Sequence, residues 1–361
     1  MLTQATAYSR SNIPGATSSE SHNIINIWAS PVSSSAYSTV RMPQFVSPRR
    51  WWRAHRGDIQ RDRNTLVNDS RLSTHLHRLC VYHPCTLYLF TKSDIKTTMI
   101  PITAFSMAVT PGIELTRLIH SIGWTYLHLL QFNVSNQCLS IEEDIKNKPD
   151  RPLAANRITL ESARILRWIL LPLCLAQSIY YSWTMFWISI ILSSAFILYN
   201  ECGGHAIHWS SRNIMNAFGL SMFETGATLI VSGDSDCLTP LACRSIIMSG
   251  LVYLTTFHAQ DFKDVDGDRL IGRSTLPILF PHVARLSMFI GMFAWSTLLP
   301  LFWRLNWGIS IIFTALGLFV GARFASNKAA VVEDQISFYW YNGWISFVHV
   351  LPAYYRHIHM G

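Results

Sequence analysis

Two short acidic stretches stand out in a chain of 361 residues that holds 21 Asp and Glu. The first is Asn136-Gln137-Cys138-Leu139-Ser140-Ile141-Glu142-Glu143-Asp144-Ile145-Lys146-Asn147-Lys148-Pro149. If the preceding apolar helix runs on through it, Asn136, Ser140, Glu143, Asp144 and Asn147 share one face, and Pro149 ends the helix. The second is Asp261-Phe262-Lys263-Asp264-Val265-Asp266-Gly267-Asp268-Arg269. There Asp261, Asp264 and Asp268 fall at i, i+3 and i+7, again one face, with Asp266 off it. Like charges on a stripe repel, so such stripes persist most easily around a cation. Hard oxygen ligands select Mg²⁺ or Ca²⁺ over zinc. Lys146, Lys148, Arg151, Lys263, Arg269 and Arg273 interleave with the acids. Carboxylates for Mg²⁺ beside Lys and Arg are the mixture that suits a diphosphate. The stretch Asp264–Asp268 has a passing likeness to a calcium loop, but the closing Glu of an EF-hand is missing.

Each stretch adjoins a long apolar segment, and those segments define the class of protein. The chain is 50% hydrophobic and 14% charged, where a soluble domain carries about a quarter charged residues. Disorder, collagen and a small disulfide scaffold are excluded for most of it. About nine apolar segments follow one another, at roughly 97–111, 115–134, 165–183, 185–199, 214–232, 246–260, 286–303, 309–324 and 338–355. Each approaches the ~17–25 residues that cross a bilayer, and each is apolar nearly all round. The expected fold is all-α, a polytopic membrane bundle of about nine transmembrane helices. Trp183, Trp187, Trp303, Trp307, Trp340 and Trp344 fall near segment ends, where an interfacial belt is expected.

Residues 1–95 are expected to be a polar, basic, disordered extension, and 96–361 the transmembrane catalytic domain. The extension lacks the apolar core of a secretory signal, though a mitochondrial-type presequence is an alternative. Arg49, Arg50, Trp51, Trp52, Arg53 and Arg56 within it suit an anionic membrane surface. With the N-terminus in the cytosol, the loops after the second and sixth segments are cytosolic. They carry most of the loop Lys and Arg, as the positive-inside rule requires. The sequons at Asn68 and Asn133 then stay unused, and Cys237 and Cys243 share a lumenal loop in which they could pair. The net charge of +8 points to a phosphate-rich small molecule or the bilayer as partner; no nucleic acid is expected, and no protein partner can be inferred.

At these residues the sequence resembles the UbiA superfamily of intramembrane prenyltransferases. Asn136-Gln137…Asp144…Asn147-Lys148-Pro149…Arg151-Pro152-Leu153 is similar to its first motif, and Asp261…Asp264…Gly267-Asp268…Gly272 to its second. The resemblance implies that Asp144, Asp264 and Asp268 bind Mg²⁺, with Asn136 and Asp261 close by. It implies that Arg151, Lys263 and Arg269 hold the diphosphate of a prenyl diphosphate substrate. Tyr199 matches a family tyrosine near the diphosphate; the family's lysine a few residues later is missing, and Arg212 is the available substitute. One departure matters. The family's Asp one turn before Asp144 is Ser140 here, and Glu143, on the same face, is the residue that could replace it as a metal ligand.

The stretch from Asn200-Glu201-Cys202-Gly203-Gly204 through Asn213, Asn216 and Phe223-Glu224-Thr225-Gly226-Ala227 resembles a fungal branch that includes membrane-bound sesquiterpene cyclases of the bergamotene synthase type. Glu224 lies about mid-span. An acid there is a functional candidate, either a general base or a helix-to-helix hydrogen bond with Asn213 or Asn216. His205, His208 and His258 are read as structural. The leading expectation is Mg²⁺-dependent cyclisation of farnesyl diphosphate to a sesquiterpene in secondary metabolism. Prenyl transfer to an aromatic or other acceptor is the alternative, and an inactive membrane-interaction protein the third. The expected location is the endoplasmic reticulum with the site facing the cytosol, or else a mitochondrial membrane.

Overall fold

Polar side chains bracketing the apolar segments set where helices begin. In the computed structural model, which describes residues 82–234, 236–326 and 331–360, Thr159 accepts a hydrogen bond from the Ser162 amide (3.2 Å) and opens a helix at Leu160. Ser182 accepts from the Met185 amide (3.1 Å) and opens the next at Trp183. Thr239, followed by Pro240 in the first helical turn, caps another. Such caps satisfy amides with no intrahelical partner, and proline loses nothing at that position.

The described residues form helices and no strand. In chain order these are α1 (His83–Thr91), α2 (Ile100–Val109), α3 (Leu115–Leu139), α4 (Ile141–Asn147), α5 (Leu160–Tyr181), α6 (Trp183–Asn200), α7 (Trp209–Ser232), α8 (Pro240–Thr256), α9 (Asp261–Leu270), α10 (Pro281–Phe302), α11 (Trp307–Ser326) and α12 (Val331–His359). A π-helical turn, Ile95–Met99, leads into α2, and one-turn helices lie at Gly204–Ile207 and Leu276–Leu279.

Among the described residues, six helical segments are long and apolar enough to cross a membrane: α5, α6, α7, the stretch Pro240–Leu270 spanning α8 and α9, α10 and α11. The protein is an all-α integral membrane bundle. The expected count of nine crossings is not reached on length and apolarity. Ile95–Val109 is short, and α3 and α12 mix polar side chains such as Gln131, Asn133, Asn342 and His349 into their length. Ile165, Trp168, Ile169 and Leu173 of α5 are exposed, as befits a helix facing lipid. The core holds Trp124, Leu192, Met288, Val320 and Trp344. Gly226 is required where α3 meets α7, since a Cβ there would sit 2.3 Å from the Trp124 ring. Of the expected tryptophan belt, Trp183, Trp187, Trp307 and Trp340 are exposed. Trp303 and Trp344 are core residues instead; the indole of Trp344 donates to Ser296 Oγ (2.9 Å), so its burial leaves no unmet donor.

Other expectations resolve locally. Cys237 and Cys243 are free thiols, and Asn133 of the sequon is buried. Asn68 and the Arg49–Arg56 cluster lie outside the described residues. Of the extension expected to end at residue 95, the described part is not a solvated tail. α1 buries Leu89 and Phe90, and Gln137 Nε2 donates to the Phe90 carbonyl (2.9 Å). Helical structure therefore starts ahead of the expected boundary at 96.

One side chain ties four helices together beneath the second acidic stretch. Arg285 on α10 donates to both carboxylate oxygens of buried Asp334 on α12 (3.0 and 2.9 Å) and to the Phe324 carbonyl of α11 (2.9 Å). Its guanidinium lies 4.9 Å from the Phe262 ring centre on α9. Arg285→Met takes the guanidinium away from a buried carboxylate and is expected to cost about 3–5 kcal/mol. Thermal unfolding in detergent should show a clear drop in Tm; an unchanged Tm would mean that the clamp does not hold α9.

Candidate active site

The helix does not run through the first acidic stretch. α3 ends at Leu139, and Ser140 leaves helical geometry (φ −127°, ψ 38°). Its hydroxyl donates back to the Asn136 carbonyl (2.9 Å), and its own carbonyl accepts from the Asp144 amide (3.0 Å) to start α4. Serine suits such a junction because its hydroxyl competes for nearby backbone groups. The single face expected from Asn136 to Asn147 is thus split between two helices. Asn136 stays on α3, where Nδ2 donates to Asn200 Oδ1 (3.1 Å). Glu142, Glu143 and Asp144 occupy the first turn of α4, where the helix dipole favours acids.

The second stretch is also set off from the helix before it. A 3₁₀ turn, Phe257–Gln260, separates α8 from α9. On α9, Asp261 and Asp268 are buried while Asp266 is exposed, as the helical phase requires. α9 lies close against α4 because residue 267 is glycine: a Cβ there would sit 1.9 Å from Asn147 Nδ2. Arg273 bridges the two helices, with Nη2 3.3 Å from Glu143 Oε2 and Nη1 2.5 Å from Asp268 Oδ1. Lys148 reaches across to Asp264 (4.0 Å), which Lys263 also holds (2.5 Å). Arg151 donates to Asp144 Oδ1 (2.7 Å). From α7, Arg212 donates to Asp261 Oδ1 and to Tyr199 Oη, both at 3.0 Å. Folding therefore brings both stretches, Tyr199 and Arg212 into one site.

Among the described residues, no three Asp, Glu, His or Cys side chains gather around one point as a metal cage. Each acid is instead matched to a cation, since a buried carboxylate without a partner is costly. Two oxygens are left over: Asp144 Oδ2 and Asp268 Oδ2 are buried with no hydrogen-bond partner. Mg²⁺ is typically held by one or two carboxylates plus substrate phosphates, so these residues fit the ion in that mode. Burial pushes the Asp144 carboxyl up to about 6, with Arg151 and then Lys148 opposing. Burial also pushes the Lys148 ammonium down. A divalent cation beside Asp144 favours its charged form.

A cavity of about 540 Å³ opens at this junction, a size usual for small-molecule sites. Glu143, Lys148, Arg151, Arg212, Asp264 and Arg273 line its charged part, while Leu129, Phe196, Phe223, Tyr253 and Ile345 line its apolar part. Leu129 lies ten residues before the end of α3, about 15 Å into the bundle at the helical rise. Asn136, Tyr199 and Lys263 also line the cavity. Arg269, Asp144, Asp261 and Asp268 do not: Arg269 is exposed, with Arg273 supplying the inward guanidinium, and the three aspartates are buried. Lys92 reaches the cavity from ahead of the expected domain boundary, and Lys96 from the boundary itself. Lys92 pairs with Asp150 (2.9 Å), and Lys96 lies 4.4 Å from the Tyr339 ring centre.

Glu224 is fully buried on α7 and does not line the cavity. Its partners are neither Asn213 nor Asn216, whose Nδ2 instead donates to the Arg212 carbonyl (2.8 Å). Glu224 Oε1 accepts from Ser249 Oγ (2.5 Å) and meets His349 Nε2 at 3.0 Å. His349 is absent from the residues that sequence patterns single out, although an imidazole in the apolar run of α12 carries the same signal as Glu224. His205, His208 and His258 are engaged locally, by the Tyr199 carbonyl, by the start of α7 and by Ser287.

The profile of the UbiA prenyltransferase family matches residues 98–343. The chain is 33% identical over 272 residues to fumagillin beta-trans-bergamotene synthase of Aspergillus fumigatus, covering 75% of this chain and 92% of that one. It is 29% identical to a polyprenyl transferase of Hericium erinaceus, covering 54% of this chain and 67% of that one. A UbiA homolog from Archaeoglobus fulgidus solved with GPP and Mg²⁺ has the same fold, with a TM-score of 0.56 at 16% identity over 74% of this chain and 98% of that one. With both acidic helices joined at the mouth of a cavity in a membrane bundle, the chain belongs to the UbiA prenyltransferase family.

Proposed function

We propose that this UbiA-type enzyme ionises farnesyl diphosphate in the membrane and cyclises the resulting cation to a sesquiterpene. The observation that carries the reading is a cavity with a charged part at the joined acidic helices and an aromatic, apolar part within the bundle. Lys148, Arg151, Lys263 and Arg273 bind the diphosphate and stabilise the charge that grows on it as the allylic C–O bond breaks. Asp144, Asp268 and Asp264 would hold Mg²⁺, which would supply further positive charge to the leaving group. The prenyl chain extends toward Leu129 and Phe223, where apolar walls exclude water from the cation. Aromatic faces such as Phe223 and Tyr253 attract that cation. A double bond of the same chain captures it, and a proton is lost at the end.

The similarity to a bergamotene synthase along 92% of that protein favours cyclisation. Transfer to a separate acceptor is the competing reading, favoured by the similarity to a polyprenyl transferase. The basic loops carrying both acidic helices face the cytosol on this account, in the endoplasmic reticulum membrane, following the positive-inside rule.

Microsomes containing the protein, given farnesyl diphosphate and Mg²⁺ alone, are expected to release a volatile hydrocarbon detectable by gas chromatography. Product that appears only after an aromatic acceptor is added would support transfer instead. Asp144→Asn preserves shape but weakens the hold on the cation. Its turnover should fall at least about 100-fold, as for loss of one preorganised electrostatic group, with the Tm retained; full activity in this variant would remove Asp144 from the site.

A further inference from the structure

A polar cluster is buried in the membrane-spanning part of the bundle, apart from the charged residues that line the cavity. It consists of Glu224 on α7, Ser249 and Tyr253 on α8, and His349 on α12. Glu224 and His349 are completely or almost completely buried (0% and 1% exposed). A polar cluster in this setting is costly unless it is satisfied, yet Glu224 Oε2 has no partner. The protein therefore carries an acid–imidazole pair that packing alone does not explain.

The geometry fixes the tautomer. His349 Nδ1 lies 2.7 Å from the Ile345 carbonyl, which can only accept, so Nδ1 carries a proton. Nε2 is then the nitrogen that takes up a further proton: bare, it and Glu224 Oε1 are two acceptors in contact, and a proton on Nε2 turns that contact into a hydrogen bond. Nε2 faces Tyr253 Oη at 3.3 Å and Glu224 Oε1 at 3.0 Å. Tyr253 is the member of the cluster that lines the cavity. The sequence of groups is cavity, phenol, imidazole, carboxyl.

We infer that Tyr253, His349 and Glu224 form a relay that takes the terminal proton of the cyclisation, a step that rests on the cyclase reading above. A C–H bond next to the cationic carbon breaks, and its electron pair closes the alkene. The proton arrives on the Tyr253 oxygen as that oxygen's own proton passes to His349 Nε2. The new Nε2–H donates to Glu224 Oε1, held in place by Ser249. Positive charge is moved within the cavity region and not created there, so the low dielectric does not oppose the step. The proton leaves afterward on the diphosphate, and the products are a hydrocarbon and hydrogen diphosphate. Tyr253 touches the reacting chain; His349 and Glu224 are positioning residues that make its oxygen a proton acceptor.

The test compares the unsubstituted enzyme with Tyr253→Phe and Glu224→Gln, both near-isosteric, in microsomes given farnesyl diphosphate and Mg²⁺. Hydrocarbon, farnesyl-derived alcohols and released diphosphate are measured together. The relay predicts that cations left without their base are quenched by water. Per diphosphate released, alkene should fall by about 100-fold, the lower end of what a positioned acid or base contributes, with alcohols in its place. An unchanged alkene share in both variants overturns the relay alone. Loss of diphosphate release in both variants would assign the cluster to structure and also overturn it. Absence of hydrocarbon from the unsubstituted enzyme overturns the cyclase reading, and the relay with it.

Discussion

Buried charge at the end of a membrane bundle is the constraint on which the rest of this structure depends. Five acids, Glu143, Asp144, Asp261, Asp264 and Asp268, meet five bases, Lys148, Arg151, Arg212, Lys263 and Arg273. None of the carboxylates would be tolerated at this burial alone. Arg273 is central, because its guanidinium spans Glu143 on one helix and Asp268 on the other. Gly267 follows from that bridge, since the two helices must approach within side-chain contact. The Ser140 break follows too: without it α4 would continue the direction of α3. Arg285 then anchors α9 from beneath.

A balanced set of charges also explains how one site can receive a highly charged substrate. A Mg²⁺–diphosphate pair largely cancels its own charge, so it enters without leaving a large net charge in low dielectric. On the proposed function, the carboxylate oxygens without partners, on Asp144 and Asp268, would take the metal half of that pair, and the guanidinium and ammonium groups around them the diphosphate half. Beyond them the wall turns aromatic and apolar, which suits the prenyl chain and protects a carbocation. The buried Glu224–His349 pair adjoins this apolar side through Tyr253.

Much of this was legible in the sequence. Oxygen-bearing side chains at helical spacing, placed just after apolar segments and interleaved with Lys and Arg, point to a cation and a diphosphate by chemistry alone. The apolar blocks give the membrane bundle for the same reason that lipid demands them. What escaped was set by backbone detail and by distant contacts. Ser140 ends a helix through a local hydroxyl bond, which periodicity cannot reveal. Arg269 and Arg273 look equivalent in the sequence; α9 stops at Leu270, and Gly272, at φ +68°, turns the chain so that Arg273 points inward. His349 meets Glu224 across 125 residues, a pairing that neither local pattern contains. Lys92 lies in a segment whose composition reads as a polar tail, though α1 just ahead of it docks through Leu89 and Phe90.

The central claim is that α4 and α9 form one Mg²⁺-diphosphate site at the charged part of the cavity. The most direct measurement is a structure of the full chain with a non-ionisable farnesyl thiodiphosphate and Mg²⁺. The account predicts metal on Asp144 Oδ2 and Asp268 Oδ2, the diphosphate against Lys148, Arg151 and Arg273, and the prenyl chain running toward Phe223 and Tyr253. A headgroup bound away from these residues, or metal on neither carboxylate, would contradict it.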